Sequence, residues 1–400
     1  MKKQFTRAAM VAAFAPVTVF AQTDLNISAV LDGYYQNEHI EGGLRSEGFN
    51  IGHNELVLSA PVDDNFYGKL TTIIASHEGD IELEVEEAFI QTTALPYGIG
   101  VRGGRFLSDI GYLNNQHLHS DTFAERPVVY RNLLGSHYYD DGIRVNWVAP
   151  TPFYVNVFTE AMSGSNLEAD MGHEEHDDGH DDEHGHDTNI SVYTVGLELG
   201  GDIGTDHSWQ FGVSALNNEL GVQHLEPPVP GAIPPVHDHD TEHDHAHGAA
   251  FGAERMYIVD ATYKWAPNGN YKYQSLTLAA EYINGSDAYE EFTAPGDNTG
   301  WYVSAAYRFS GTWSVGAMYS EFDGYEFHEF DMDPSGQFEA EYDNVTVKET
   351  QLALTWHPSH FSNIRLYATR QQLTMDEQET TNVVGISFNT ALGDHGAHAF

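Results

Sequence analysis

Ser275-Leu276-Thr277-Leu278-Ala279-Ala280-Glu281-Tyr282 is followed, after a polar connection, by Trp301-Tyr302-Val303-Ser304-Ala305-Ala306-Tyr307-Arg308-Phe309. In the first run Leu276, Leu278, Ala280 and Tyr282 alternate with Ser275, Thr277 and Glu281. In the second Trp301, Val303, Ala305, Tyr307 and Phe309 alternate with Tyr302, Ser304, Ala306 and Arg308, and Leu352, Leu354 and Trp356 later alternate with Gln351, Ala353 and Thr355. Side chains of a strand point to opposite faces in turn, so a period of two gives one greasy face and one that tolerates charge. Helical stripes are largely missing, and the chain reads as all-β.

A β-sandwich also alternates, but its loops are usually short at both ends. Here the connections are unequal. Short turns occur at Pro61-Val62-Asp63-Asp64-Asn65, Leu95-Pro96-Tyr97-Gly98, Ala149-Pro150-Thr151-Pro152, Pro267-Asn268-Gly269-Asn270, Gly311-Thr312 and Pro358-Ser359-His360. Between them lie long loops around 37–47, 107–136, 163–188, 218–252, 286–298, 323–345 and 373–380. Short periplasmic turns opposite long outer loops are the asymmetry of transmembrane barrels. The segments 24–36, 48–60, 66–77, 81–94, 99–106, 137–149, 152–162, 189–200, 207–217, 253–266, 271–285, 299–310, 311–322, 346–357, 362–372 and 381–393 make about sixteen strands. An even number suits a single up-and-down antiparallel barrel. Aromatic residues near strand ends, among them Tyr34, Phe66, Trp147, Tyr263, Trp301 and Trp356, read together as two interfacial girdles.

Residues 1–21 carry Lys2, Lys3 and Arg7, an apolar stretch from Ala8 to Phe20 and a close on Val19-Phe20-Ala21, the pattern of a secretory signal peptide. The barrel is then expected over 22–400. No later stretch approaches the eighteen or so apolar residues of a membrane helix. Membrane residence must therefore come from a closed barrel. The chain has no cysteine, which removes disulfides, thiolate metal sites and a cysteine nucleophile. Its 60 acidic and 17 basic residues give a net charge of −43, which makes nucleic acid an unsuitable partner and cations natural ones. No Gly-x-Ser-x-Gly, His-Glu-x-x-His, P-loop or dinucleotide fingerprint is present, so an enzyme is not expected and no cofactor is required.

The sharpest local feature is the run from Met171 to Asp187, which holds His173, His176, His180, His184 and His186 among aspartates and glutamates. A second tract holds His237, His239, His243, His245 and His247. Ten of the 23 histidines sit in these two stretches, within the outer loops 163–188 and 218–252. Neutral imidazole is the commonest side-chain ligand for Zn²⁺, Cu²⁺ and Ni²⁺, and the carboxylates add oxygen ligands. The redundancy points to a multi-site collector of divalent transition metal, zinc above all, rather than one preformed tetrahedral site; a solvated loop without a ligand is the alternative. Acid should weaken such capture as the imidazoles protonate near pH 6.5. The loop at 107–136 is long enough to fold into the lumen as a constriction. There His117, His119 and Asp121 would form an internal metal station, or Arg105, Arg126, Arg131 and Arg144 a cationic wall, or the arginines would pin the loop to carboxylates.

The run Gly103-Gly104-Arg105-Phe106-Leu107-Ser108-Asp109-Ile110-Gly111-Tyr112-Leu113-Asn114-Asn115 resembles the Gly-Arg-Phe strand and constriction loop of phosphate-selective-porin-like and siderophore-porin-like barrels. With the signal, the sixteen strands and the terminal Phe400, the chain is similar to the general and substrate-selective porins. The two His/Asp loops add a resemblance to outer-membrane proteins of proteobacteria associated with zinc limitation, often labelled TonB-dependent receptors. Such receptors carry a plug ahead of a larger barrel, and the expected first strand begins too soon after the signal to leave room for one. The resemblance implies the outer membrane of a Gram-negative-type bacterium, contact with its lipid, and a homotrimer. The expected function is a porin-like channel that captures metal at the outer loops and passes it to the periplasm. Its rivals are a pore or receptor for a siderophore or other small solute, and a surface barrel that buffers metal without conducting.

Overall fold

In the computed structural model residues 25–77, 80–169, 190–225, 227, 249–290, 292–375 and 377–393 are described. The expected signal peptide, the ten tract histidines and Phe400 lie outside them.

The described chain forms one antiparallel sheet closed on itself. Its strands are β1 (Asn26–Gln36), β2 (Gly48–Ile51), β3 (Asn54–Pro61), β4 (Phe66–His77), β5 (Asp80–Thr92), β6 (Ile99–Leu107), β7 (Tyr139–Val148), β8 (Tyr154–Met162), β9 (Val192–Ile203), β10 (His207–Asn218), β11 (Arg255–Trp265), β12 (Ser275–Ser286), β13 (Asn298–Arg308), β14 (Trp313–Met332), β15 (Phe338–Ser359), β16 (Ser362–Thr374) and β17 (Gln378–Gly393). β1 pairs with β17 on one side, Tyr34 facing Ser387, and with β2 and β3 on the other. β2 and β3 are two pieces of one stave, so the wall has the sixteen staves expected.

The faces are inverted relative to a soluble protein. On β11 Val259 is 42% exposed while its neighbour Asp260 is only 4% exposed, and Leu352 on β15 is 54% exposed. The apolar side chains look outward because their solvent is hydrocarbon, and the polar ones line a filled lumen. An arginine on this outer face near the bilayer midplane should therefore cost about 2–4 kcal/mol. Leu352→Arg is expected to lower the urea midpoint of folding into lipid vesicles accordingly, whereas Gln351→Asn on the inner face should not cross that threshold; equal losses would contradict the assigned faces.

The loop after β6 folds into the lumen as its length suggested. It carries one short helix, α1 (Val128–Leu134), which starts after Pro127 and ends on Gly135 at φ 55°, a left-handed position suited to glycine. All seven helix residues are buried. Val129, Leu133 and Leu134 pack with Ile258, Ile283, Tyr302 and Phe322 of the wall in one apolar cluster. Glu281 on β12 anchors the loop by accepting from the backbone N–H groups of Tyr112 (3.0 Å) and Leu113 (3.1 Å), from Tyr130 Oη (2.8 Å), and from Tyr302 Oη of the wall (2.6 Å).

Two expected loops turn out otherwise. Most of 323–345 continues β14 and β15 as a tall hairpin with its turn at 333–337, and 373–380 contracts to a short turn between β16 and β17. The hairpin is held by rings: Phe330 packs on Phe327, Phe338 and Phe292. Its acidic residues looked like loop solvation, although Tyr325 and Phe327 alternate with Glu326 and His328 as a strand requires.

Candidate metal centre

Two irregularities in the wall turn acidic and imidazole side chains inward. Along the first stave Gly33 faces Ile51 but Val30 faces Glu55, so three steps on β1 answer four on its partner. The extra residue is a β-bulge, and it reverses the face on which later residues fall. Phe49 and Ile51 look outward, yet Glu55 is buried inside. The bulge is tied by Gly52 N–H donating to Asp32 O (2.9 Å) and Asp32 N–H to Asn54 Oδ1 (2.9 Å); a Cβ on Gly52 would stand 2.1 Å from Asp32 Oδ2.

The second bulge lies between β4 and β5, where Thr71 faces Glu87 and Thr72 faces Val85. Glu86 is the extra residue, and Glu86 and Glu87 are consequently both buried although adjacent in sequence. In a regular strand one of them would meet lipid.

The lumenal loop between β6 and β7, loop 3, brings the imidazoles. Ser120 N–H donates to His117 O (2.9 Å) in a tight turn that presents His117 and His119, and His137 follows the end of α1. His117 Nδ1 lies 2.8 Å from Glu86 Oε2 and 3.5 Å from Glu55 Oε2, and its Nε2 lies 2.9 Å from Lys69 Nζ, which also pairs with Glu87. His137 Nε2 is 2.8 Å from Glu86 Oε1, His119 Nδ1 is 2.7 Å from Glu55 Oε1, and His53 Nδ1 is 3.4 Å from the same oxygen. Burial works against charge on His117, but the carboxylates of Glu86 and Glu55 outweigh it and hold the imidazole well above its ordinary range. For His137 burial outweighs Glu86 and the shift is downward.

The centre is not satisfied by its own hydrogen bonds. Nδ1 of His53, His117 and His137 and Oε2 of Glu55 and Glu86 are buried without an aligned hydrogen-bond partner. All of them except His137 Nδ1 nonetheless lie within 3.5 Å of an oppositely charged group, so the cluster is held by close ion pairs of poor hydrogen-bond alignment. Nitrogen and oxygen donors without thiolate suit Zn²⁺ and its divalent first-row neighbours. His53, His119 and His137 also line a cavity of ≈ 200 Å³ between loop 3 and the wall, bounded on the far side by Ser387 and Asn389.

Of the residues expected from sequence, His117 and His119 meet here. Asp121 does not join them; it accepts from Arg126 Nε (2.8 Å), because the guanidinium is fully buried and needs a carboxylate. The arginines are likewise each paired: Arg105 with Asp141 (2.9 Å), Arg131 with Glu349, and Arg144 with Asp109 (3.0 Å) and Glu160 (2.6 Å). They brace the loop and its surroundings rather than presenting a free cationic wall. His53, Glu55, Glu86 and His137 were not singled out in sequence. The doublet Glu86-Glu87, which breaks the alternation of β5, was the available signal. The ten tract histidines fall outside the described residues.

No protein family defined by a sequence profile matches the chain. An uncharacterized protein of Aquifex aeolicus is 30% identical over 385 residues, covering 94% of this chain and 75% of the relative. Among solved structures, the outer membrane channel DcaP of Acinetobacter baumannii has a TM-score of 0.54 at 12% identity, covering 92% of this chain and 97% of that one. The loop L8 deletion mutant of OmpT, an outer membrane protein of Vibrio cholerae, has the same score and identity, over 92% and 99%. An anion-selective porin from Comamonas acidovorans follows at 0.52 and 8%, over 93% and 100%. At these identities the likeness speaks to fold alone. The chain is an outer-membrane β-barrel of porin fold, and it belongs to the family of the Aquifex aeolicus protein.

Proposed function

We propose that the barrel is a conduit for divalent transition metal, zinc foremost, in which ions gathered by the outer His/Asp tracts pass to the buried His/Glu centre and on toward the periplasm. The observation that carries this reading is the gathering of buried imidazole and carboxylate donors, supplied jointly by the wall and loop 3, into two sets each close enough to share an ion. The roots of the outer loops support it. Ala250, three residues beyond His247, lines the same cavity as His119 and His137, and Phe251 N–H donates to Asn132 O of α1 (3.0 Å). The two loops also meet at their bases, where Ala169 N–H donates to Leu220 O (2.9 Å). A harvested ion would thus start close to the cavity mouth. Weak, redundant sites outside and donors inside satisfy the need for binding that is favourable enough to enter and reversible enough to leave.

Liposomes holding a zinc-sensitive dye and the purified barrel should report Zn²⁺ entry well above protein-free liposomes. Entry should fall in a Glu86→Gln, His117→Ala protein that still runs as a folded, heat-modifiable band. Equal entry in both proteins would remove the centre from the path, and a siderophore or other small solute would become the better cargo; no entry of any ion would leave a surface buffer.

A further inference from the structure

We infer that the buried centre holds two metal ions bridged by the carboxylate of Glu86, an inference that rests on the metal reading above and adds the number and arrangement of the ions. The donor atoms close enough to share an ion fall into two sets, His53, Glu86 and His137, and Glu55, Glu86 and His117, with every atom in a set within 4.8 Å of the others. Ligands of one zinc ion sit about 2.0–2.1 Å from it, so any two are at most about 4.2 Å apart. Among the described residues no group unites all five side chains at that spacing. One ion therefore cannot take them all.

Glu86 is the member common to both sets, and its two oxygens face different imidazoles: Oε1 lies 2.8 Å from His137 Nε2 and Oε2 lies 2.8 Å from His117 Nδ1. Its place as the extra residue of a β-bulge frees it from facing a partner across the ladder. Glu55 and Glu86 supply the carboxylates of the two sets, and Glu87, paired with Lys69, stands beside them 3.2 Å from His117 Nε2. His119 stands outside both sets and holds Glu55 Oε1 at 2.7 Å, the position of a residue that orients a ligand.

The test uses the full chain with all ten tract histidines changed to Asn, which leaves the buried donors as the ordered metal site. Zinc content after gel filtration and calorimetry with Zn²⁺ should both give two ions per chain, and Mn²⁺ in the same protein should show the exchange-coupled spectrum of a carboxylate-bridged pair. Outer-shell changes typically lose roughly 10–100-fold in affinity, so Glu86→Gln should weaken both ions together by at least that much. His53→Ala with His137→Ala should lower the count from two to one. A count of one in the unaltered centre overturns the pair while leaving the metal reading standing. A count of zero overturns both, and two ions without magnetic coupling overturn the bridge. The count on the unaltered centre decides these outcomes even where a buried variant fails to fold.

Discussion

Glu281→Ala should raise the single-channel conductance several-fold and broaden it into multiple levels. The carboxylate gathers four donors, two of them backbone N–H groups of loop 3, one the hydroxyl of Tyr130 on α1, and one the hydroxyl of Tyr302 on the wall. Removing it strands them in a space from which water is largely excluded, at about 1–3 kcal/mol for each donor left bare, so a loss of about 3–5 kcal/mol in loop docking is reasonable once relaxation is allowed. The wall keeps its ladder bonds, so the barrel should still fold while the loop swings away from the lumen. Tyr302→Phe removes one donor without baring another and should change conductance little. Unchanged conductance in folded Glu281→Ala would mean that the apolar packing of Val129, Leu133 and Leu134 holds the loop by itself.

Micromolar Zn²⁺ should suppress most of the monovalent current through the wild-type barrel in planar bilayers at neutral pH. The centre bridges wall and loop 3: His53, Glu55 and Glu86 come from the staves and His117, His119 and His137 from the loop. An ion held there both occupies the cavity and ties its two sides together. His117→Ala should move the block to at least ~10-fold higher Zn²⁺, since losing even a group that only orients a metal ligand typically costs roughly 10–100-fold in affinity. Mild acid should relieve the block, since an imidazole must give up its proton to bind metal. Replacing the ten tract histidines should leave the block in place, because it leaves every donor of the buried centre intact. Block that disappears with the tracts and survives in His117→Ala would put the controlling site in the outer loops. Persistent anion preference of the open current would favour an anionic or chelated solute over a free cation.

The barrel was legible because period two is a local property. Leu276 to Tyr282 and Trp301 to Phe309 state which face meets lipid without reference to any partner strand, and fourteen of the sixteen staves fall within a few residues of where alternation and turns put them. The exceptions have the same origin. The upper halves of β14 and β15 alternate too, but they rise above the membrane, where charge and aromatic residues mix on both faces and resemble a polar loop.

What the sequence by itself determined is the closed all-β wall, its sixteen staves and the long third loop, while a metal station at His117 and His119 was one of three readings it left open for that loop. The centre that those histidines enter was decided only in three dimensions. Glu55 and Glu86 face the lumen because one extra residue in each of two staves reverses the alternation, and a bulge depends on the register with the neighbouring strand, which no single segment encodes. His53 and His137 lie 84 positions apart and come together through the closure of the barrel and the return of loop 3 to β7, so their rings stand 5.9 Å apart for reasons of topology alone. Asp121, close to His119 in sequence, was drawn away because the buried guanidinium of Arg126 had the stronger need for a carboxylate.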